Sequence, residues 1–258
     1  MNVLQSLTEL YNSQSTDSVY RNLSKKILEN ISSMKHITIY DLADLTNSSR
    51  TTIWRLVQKL GYKNFSDFRH ALQSAASQYN YYNRMIPSAT IHSSDDLIKI
   101  VIQQLKDACS LYLNMISSDL ILELTEELHK AKQIRFYIPF RLSFIYSFQQ
   151  NLWKTGKDTA YCVLVPDMLN DADILDENSI VIISPIEFAE TIDMTNVFEK
   201  LRKNGAVVWL TGNKSSQYID YANRTILCNS ADPAGWILAF ECFLLTLSEQ
   251  YRENYIDK

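Results

Sequence analysis

The chain has 258 residues, a length that suits one large domain or two small ones. Hydrophobic residues make up 46% and charged residues 21%, which excludes a disordered chain and places the sequence among ordinary globular proteins. The formal net charge of −4 is unevenly spread: residues 1–80 carry nine Lys/Arg against six Asp/Glu, and the remainder carries sixteen against twenty-three. Five basic residues (Arg50, Arg55, Lys59, Lys63, Arg69) stand against Asp67 alone between Arg50 and His70. A small basic block on an acidic body fits a nucleic-acid-binding module joined to a second domain, although a solvated helix face gives the same count.

From Ser18 to Ile31, Val19, Leu23, Ile27 and Ile31 recur at four-residue steps, predicting an amphipathic helix. Thr38, with Asp41 three residues on, predicts the cap of a short second helix that turns Ile39, Leu42 and Ala43 inward. The polar run Thr46-Asn47-Ser48-Ser49 ends it and caps a third helix with Ile53, Leu56, Val57 and Leu60 on one side. Gly61 stands just past its end, where a left-handed residue commonly terminates a helix. Two short helices joined by a tight turn and braced by a longer one form a helix-turn-helix.

At ~100° per residue, the face opposite Ile53 and Leu60 centres on Thr51, Arg55 and Gln58, flanked by Ser48, Thr52, Trp54 and Lys59. Hydroxyls, an amide and a guanidinium with no acid among them suit phosphates and base edges of a major groove. The DNA-binding candidates are Thr38, Ser48, Ser49, Arg50, Thr51, Thr52, Arg55, Gln58, Lys59 and Lys63. Among them Arg55 is placed to read a base, and Ser49, Thr51 and Lys59 suit phosphates. Trp54, at the edge of the apolar stripe, has the size of a packing residue. A fourth helix, Phe65 to Gln78, carries Phe68, Leu72 and Ala75 in register and closes the small core.

The runs Ile39-Tyr40-Asp41-Leu42-Ala43, Ser49-Arg50-Thr51-Thr52-Ile53-Trp54-Arg55 and Lys59-Leu60-Gly61-Tyr62-Lys63-Asn64-Phe65-Ser66-Asp67-Phe68 resemble the N-terminal domain of the RpiR/MurR family of bacterial transcription regulators. The resemblance covers about Ser18 to Gln78. It implies a double-stranded DNA operator as partner and repression as the usual outcome; because one small module binds weakly at physiological salt, a homo-oligomer (dimer or tetramer) on an inverted repeat is expected.

Residues 79–95 read as a linker: polar and aromatic, with Pro87 and the Ser88, Ser93 and Ser94 cluster. Helices are expected over Asp95–Ile116, with both sides covered by apolar residues, and over Ser118–Lys132. Strands over Gln133–Ile138, Thr159–Val165, Ser179–Ser184, Gly205–Thr211 and Thr225–Cys228 alternate with helices over Leu142–Thr155 and Glu190–Asn204. Ala234–Tyr251 forms a last helix whose broad apolar face serves a core or a subunit interface equally well. This alternation predicts a parallel sheet covered on both faces. The expected fold is thus an all-α helix-turn-helix domain (residues 1–78) followed by an α/β, doubly wound domain (residues 96–258). In order and spacing the second domain resembles a sugar isomerase (SIS) domain, the usual companion in the same family.

That resemblance implies a phosphorylated-sugar effector, and the sequence departs from it in both phosphate loops. The family's Gly-x-Gly-x-Ser is Pro139-Phe140-Arg141-Leu142-Ser143 here, so the residues that let a phosphate approach the backbone are absent. The second loop, Ser-x-Ser-Gly-x-Thr in the family, corresponds to Ser184 through Thr191 and carries Glu187 and Glu190, which oppose a dianion. Arg141, Ser143, Ser184 and Thr191 remain as effector-binding candidates.

Three readings follow: a regulator with a diverged sugar sensor, a regulator whose second domain only dimerises or meets a protein partner, and a sugar-phosphate isomerase. The last lacks a base paired at a recognisable spacing, so no enzyme activity and no catalytic residue is expected. Four scattered cysteines without a C-x-x-C pair and four scattered histidines predict reduced thiols, no metal site and no cofactor. With no long apolar span and no signal peptide in view, a cytoplasmic bacterial protein with no membrane partner is expected.

Overall fold

The computed structural model describes residues 3–77, 93–139, 142–185, 193–213, 216–228 and 233–257. They build two compact units, one helical and one α/β.

The helical unit runs α1 (Val3–Ser13), α2 (Val19–Glu29), a 3-10 turn (Ile31–His36), α3 (Ile39–Thr46), α4 (Arg50–Lys59) and α5 (Phe65–Ser77). Each element lays one stripe into a shared core: Val3, Leu7 and Leu10 from α1, Leu23 and Ile27 from α2, Ile53, Leu56 and Val57 from α4, and Phe68 and Leu72 from α5. Burying a side chain of this size contributes about 1.5–3 kcal/mol. Helix α1 was not among the expected elements, although its apolar spacing is helical. Thr38 and Asp41 form a reciprocal capping box at the start of α3. Asn47 ends α3 in the left-handed conformation (φ 52°), tolerated by Asn, and turns the chain into α4. Gly61, at φ 89°, stands just past α4, as its place in the sequence predicts.

The α/β unit runs α6 (Ser94–Met115), α7 (Ser118–Lys130), β1 (Gln133–Tyr137), α8 (Ile145–Lys154), β2 (Asp158–Cys162), α9 (Val165–Asp171), β3 (Ser179–Ile183), α10 (Thr195–Asn204), β4 (Val207–Asn213), β5 (Arg224–Cys228) and α11 (Pro233–Tyr255). The five strands lie in the order β2-β1-β3-β4-β5, and every pairing is parallel. Strand β3 is buried at every residue, as a strand covered on both faces must be. The order reverses between β1 and β3, where Tyr137 pairs with Ile183. In open sheets of this kind that reversal opens a crevice beyond the carboxyl ends of the strands.

Arg135 of β1 is 2% exposed and fully partnered. Its Nε donates to both oxygens of Asp171 (3.1 and 2.9 Å), and its Nη2 donates to Asp158 Oδ2 at 2.7 Å. Tyr137 adds a hydroxyl donated to Asp171 Oδ2 at 2.8 Å. Burial, with the Asp171 carboxylate beside it, pushes the Tyr137 phenol well above its ordinary range, so it stays a donor. This network ties β1 to the start of β2 and to the end of α9.

The α/β unit departs from the expectations in further places. Strand β2 stops at Cys162, and α9, which was not expected, begins at Val165. Helix α8 begins at Ile145 rather than Leu142. Helix α6 is covered on one side only: Ala108 is its buried residue, whereas Leu97, Ile98, Val101, Ile102, Leu105 and Leu113 are exposed.

Candidate nucleic-acid interface and ligand crevice

Helix α4 presents its Ile53, Leu56 and Val57 side to the core, so the opposite side faces outward. Thr51, Trp54, Arg55 and Lys59 are exposed and Thr52 and Gln58 half-buried, placing the expected face where helical periodicity put it. The structure then separates residues already engaged from those left open.

Thr38 is engaged: its hydroxyl donates to Asp41 Oδ2 at 2.6 Å and accepts from the Asp41 N–H at 3.2 Å. These bonds hold the Asp41 carboxyl below its ordinary value. The Ser48 hydroxyl donates to the Thr46 carbonyl at 3.3 Å. Ser49 is the N-cap of α4, accepting from the Thr52 N–H at 3.1 Å, and its hydroxyl lies 2.9 Å from that of Thr52. The Gln58 amide donates to the carbonyls of Tyr62 and Lys63, both at 3.0 Å, and so closes the turn after α4. Arg50 donates to the Tyr40 hydroxyl at 3.0 Å, and Lys59 Nζ sits 5.8 Å from the Tyr20 ring centre.

The side chains of Thr51, Arg55 and Lys63 make no hydrogen bond or ion pair among the described residues. Two exposed aromatics join them: Tyr40, 60% exposed, and Trp54, 52% exposed. Trp54 therefore does not serve the packing role its size suggested. Its position lies on the solvent side of the α4 stripe, one residue beyond Ile53. Tyr40 was not singled out from the sequence, and its one signal was a large aromatic in the first turn of an otherwise small polar-faced helix.

In the α/β unit, Ser184 follows β3 at the reversal, and its N–H donates to the Tyr137 carbonyl at 3.2 Å. Its hydroxyl is buried and has no partner among the described residues. Ser143 lies at the entry to α8, and its N–H donates to Oε1 of Glu241, on α11, at 2.8 Å. The other oxygen, Oε2, is buried and has no partner among the described residues, as is true of the indole N–H of Trp236 on the same helix. Arg141 and Thr191 lie outside the described residues, as do Phe140, Glu187 and Glu190. Glu241 was not singled out from the sequence, which shows it only as a member of an apolar helix. The contact with Ser143 spans 98 positions.

A cavity of about 460 Å³ lies at the other end of the sheet, lined by Lys130, Glu177, Trp209 and Arg224 among others. Its guanidinium is spent internally: Arg224 donates to Glu123 at 2.7 Å and also to Glu127. Size alone does not make it the ligand site, since ligands in such sheets gather at the carboxyl ends of the strands.

Among the described residues no group of three or more His, Cys, Asp or Glu side chains is placed to hold a metal ion. No described helix is long and apolar enough to cross a membrane.

A capped helix pair with an open basic face, followed by a parallel α/β unit, defines a DNA-binding transcription regulator of helix-turn-helix type. Residues 1–79 match the helix-turn-helix domain of the rpiR family. No curated protein sequence matches the chain. Among solved structures, NanR of Vibrio vulnificus in complex with ManNAc-6P is 20% identical, with 98% of this chain and 92% of that chain covered and a TM-score of 0.51. That likeness shows a shared fold. The sugar isomerase domain of an RpiR transcription factor from Sphaerobacter thermophilus is 12% identical, with 62% of this chain and 93% of that chain covered and a TM-score of 0.47.

Proposed function

We propose that the protein is a cytoplasmic, non-enzymatic regulator, acting as a repressor of carbohydrate-related genes. It binds an inverted-repeat operator through α4 and is controlled by a carbohydrate-derived effector in the crevice between β1 and β3. The observation that carries the DNA side is the exposed α4 face, where Arg55 has no internal partner and no acidic residue stands between Arg50 and Lys59. Arg55 reads a base edge. Thr51, the Ser49–Thr52 hydroxyls, Arg50, Lys59 and Lys63 hold phosphates, which set register without carrying sequence information. Thr38, Ser48 and Gln58 support the face from within. The boundaries 1–78, 79–95 and 96–258 belong to the same proposal.

Effector control is supported by the fold, by the polar groups at the switch point, and by the sugar-phosphate ligand of the NanR structure. Ser143 and Ser184 line the crevice, and Arg141 and Thr191 complete the set. Oligomerisation is supported by α6. Its unburied Leu97, Ile98, Val101, Ile102 and Leu105 form one apolar stripe, and a second copy of the chain buries it. Two modules on adjacent half-sites gain the affinity that one small module lacks at physiological salt.

Selection of a bound sequence from random duplex DNA by the full-length protein tests the reading. A palindromic consensus, bound at least a hundredfold more tightly than scrambled duplex, is expected. Binding without sequence preference overturns it.

A further inference from the structure

We propose that Glu241 makes the crevice between β1 and β3 a site for an unphosphorylated carbohydrate, holding a ligand hydroxyl or amino group and turning phosphate away from α8. The inference rests on reading that crevice as the effector site, and it specifies the ligand class.

A helix N-terminus beside the switch point of such a sheet is ordinarily where a ligand's anionic group docks. Here the anion comes from the chain itself. Glu241, 98 residues further along, places Oε1 at 2.8 Å from the Ser143 N–H at the mouth of α8. A phosphate seeking that position must displace a carboxylate or lie against one, and two anions at close range repel.

The remaining groups ask for donors. Oε2 of Glu241 is buried without a partner among the described residues, and an ionised carboxylate oxygen only accepts. Leaving it unmet is costly, so the group that completes the site brings an O–H or N–H. The Ser184 hydroxyl, 0% exposed and unpartnered, stands at the carboxyl end of β3, next to β1. A carboxylate acceptor and a hydroxyl able to donate or accept match a sugar's hydroxyls or amino group. They do not match a phosphate dianion, which offers acceptors only.

The test uses the full-length protein, with calorimetric titration against glucose, glucosamine and N-acetylmannosamine, each paired with its 6-phosphate, and against inorganic phosphate. One unphosphorylated sugar is expected to bind at least tenfold more tightly than its 6-phosphate, with inorganic phosphate silent. In Glu241→Gln the gap should narrow at least threefold, and in Glu241→Ala a 6-phosphate should bind measurably better than it does to the wild type. Far-UV circular dichroism and the thermal midpoint check that both variants are folded; if neither is, the wild-type pairs decide alone. A wild type that prefers a 6-phosphate overturns the proposal and leaves effector control standing. Discrimination unchanged in a folded Glu241→Gln overturns the assignment to Glu241. Silence toward all six sugars from a folded wild type overturns both this inference and the effector reading on which it rests.

Discussion

The Arg50 guanidinium stands over the Tyr40 ring, 4.9 Å from its centre, and donates to the Tyr40 hydroxyl at 3.0 Å. The first residue of α4 is thereby tied to the first turn of α3, across the turn that joins them. Of the two arginines in α4, one is held by the partner helix and the other, Arg55, is left extended into solvent. Under the proposed reading, discrimination between bases falls on Arg55, while Arg50 and its aromatic partner supply a fixed positive charge suited to the backbone.

Replacing Arg55 by Ala should cost ~1–3 kcal/mol of operator affinity and relax preference at one position of each half-site. Lys63→Ala should weaken operator and scrambled duplex alike and lower the slope of log affinity against log salt by about one per module. Titration of both variants against operator and scrambled duplexes at several salt concentrations separates the two. An Arg55→Ala variant with unaltered operator affinity would mean that α4 does not read the groove by this face.

Gln58 sits on the same face but spends its amide on the Tyr62 and Lys63 carbonyls. Gln58→Ala should therefore lower stability by about 1 kcal/mol and leave base preference intact. Chemical denaturation and operator competition on the same variant check both halves. A change in the preferred base with stability untouched would return Gln58 to the reading residues.

Much of this was legible in the chain. The Thr38 and Asp41 spacing named the cap of α3, and Gly61 marked the end of α4. The alternation after residue 132 gave a parallel α/β sheet, because local signals of cap, period and turn sufficed for each. What stayed hidden depends on contacts distant in sequence. Glu241 reads as a lone interruption of an apolar helix until Ser143 is brought to it. Gln58 looks like a free amide until the turn after α4 folds back. Helix α6 is apolar enough to read as covered on both sides, and only the packing shows that one side has no neighbour within the chain's described residues.

The buried Arg135 makes a sharper demand on stability. Removing Asp171 leaves a guanidinium that is 2% exposed with the largely exposed Asp158 as its remaining carboxylate partner. Asp171→Ala should destabilise the protein by ~3–5 kcal/mol, the range for breaking a buried pair from one side. Arg135→Met with Asp171→Leu should recover much of that loss, because an apolar pair carries no unmet charge. Urea denaturation of the three proteins tests this. A single Asp171→Ala variant as stable as the wild type would show that Asp158 and the backbone suffice.

His129 gives the fold a sensitivity to mild acid. Its ring stacks on Tyr255 at 3.7 Å with an interplanar angle of 3°. Burial, followed by the nearby Lys157 ammonium, lowers its pKa from the usual 6.5. The unfolded chain therefore takes up a proton more readily than the folded one. This contribution to stability is present above pH 6.5 and is lost as pH falls through the depressed folded value. The thermal midpoint should drop between pH 7 and pH 5 with a component that His129→Phe removes. Identical pH profiles for wild type and variant would exclude His129 as the group responsible.

The stripe on α6 should govern assembly. Ile98 is 57% exposed and Leu105 46% exposed, one above the other on a helix that meets α11 further along, where Tyr112 and Thr246 share a hydrogen bond of 2.6 Å. A Glu at either position places a charge in the middle of the stripe, where a second copy would have to desolvate it. Because both side chains face solvent in the single chain, the substitutions should leave the thermal midpoint of the isolated chain nearly unchanged while opposing association. In sedimentation at micromolar concentration the wild type should run as a dimer or larger, and the Ile98→Glu, Leu105→Glu double variant as a monomer. Operator binding should then weaken by tenfold or more, since two linked modules are replaced by one. A double variant that still sediments with the wild type would move the subunit interface off α6 and leave the stripe to another partner.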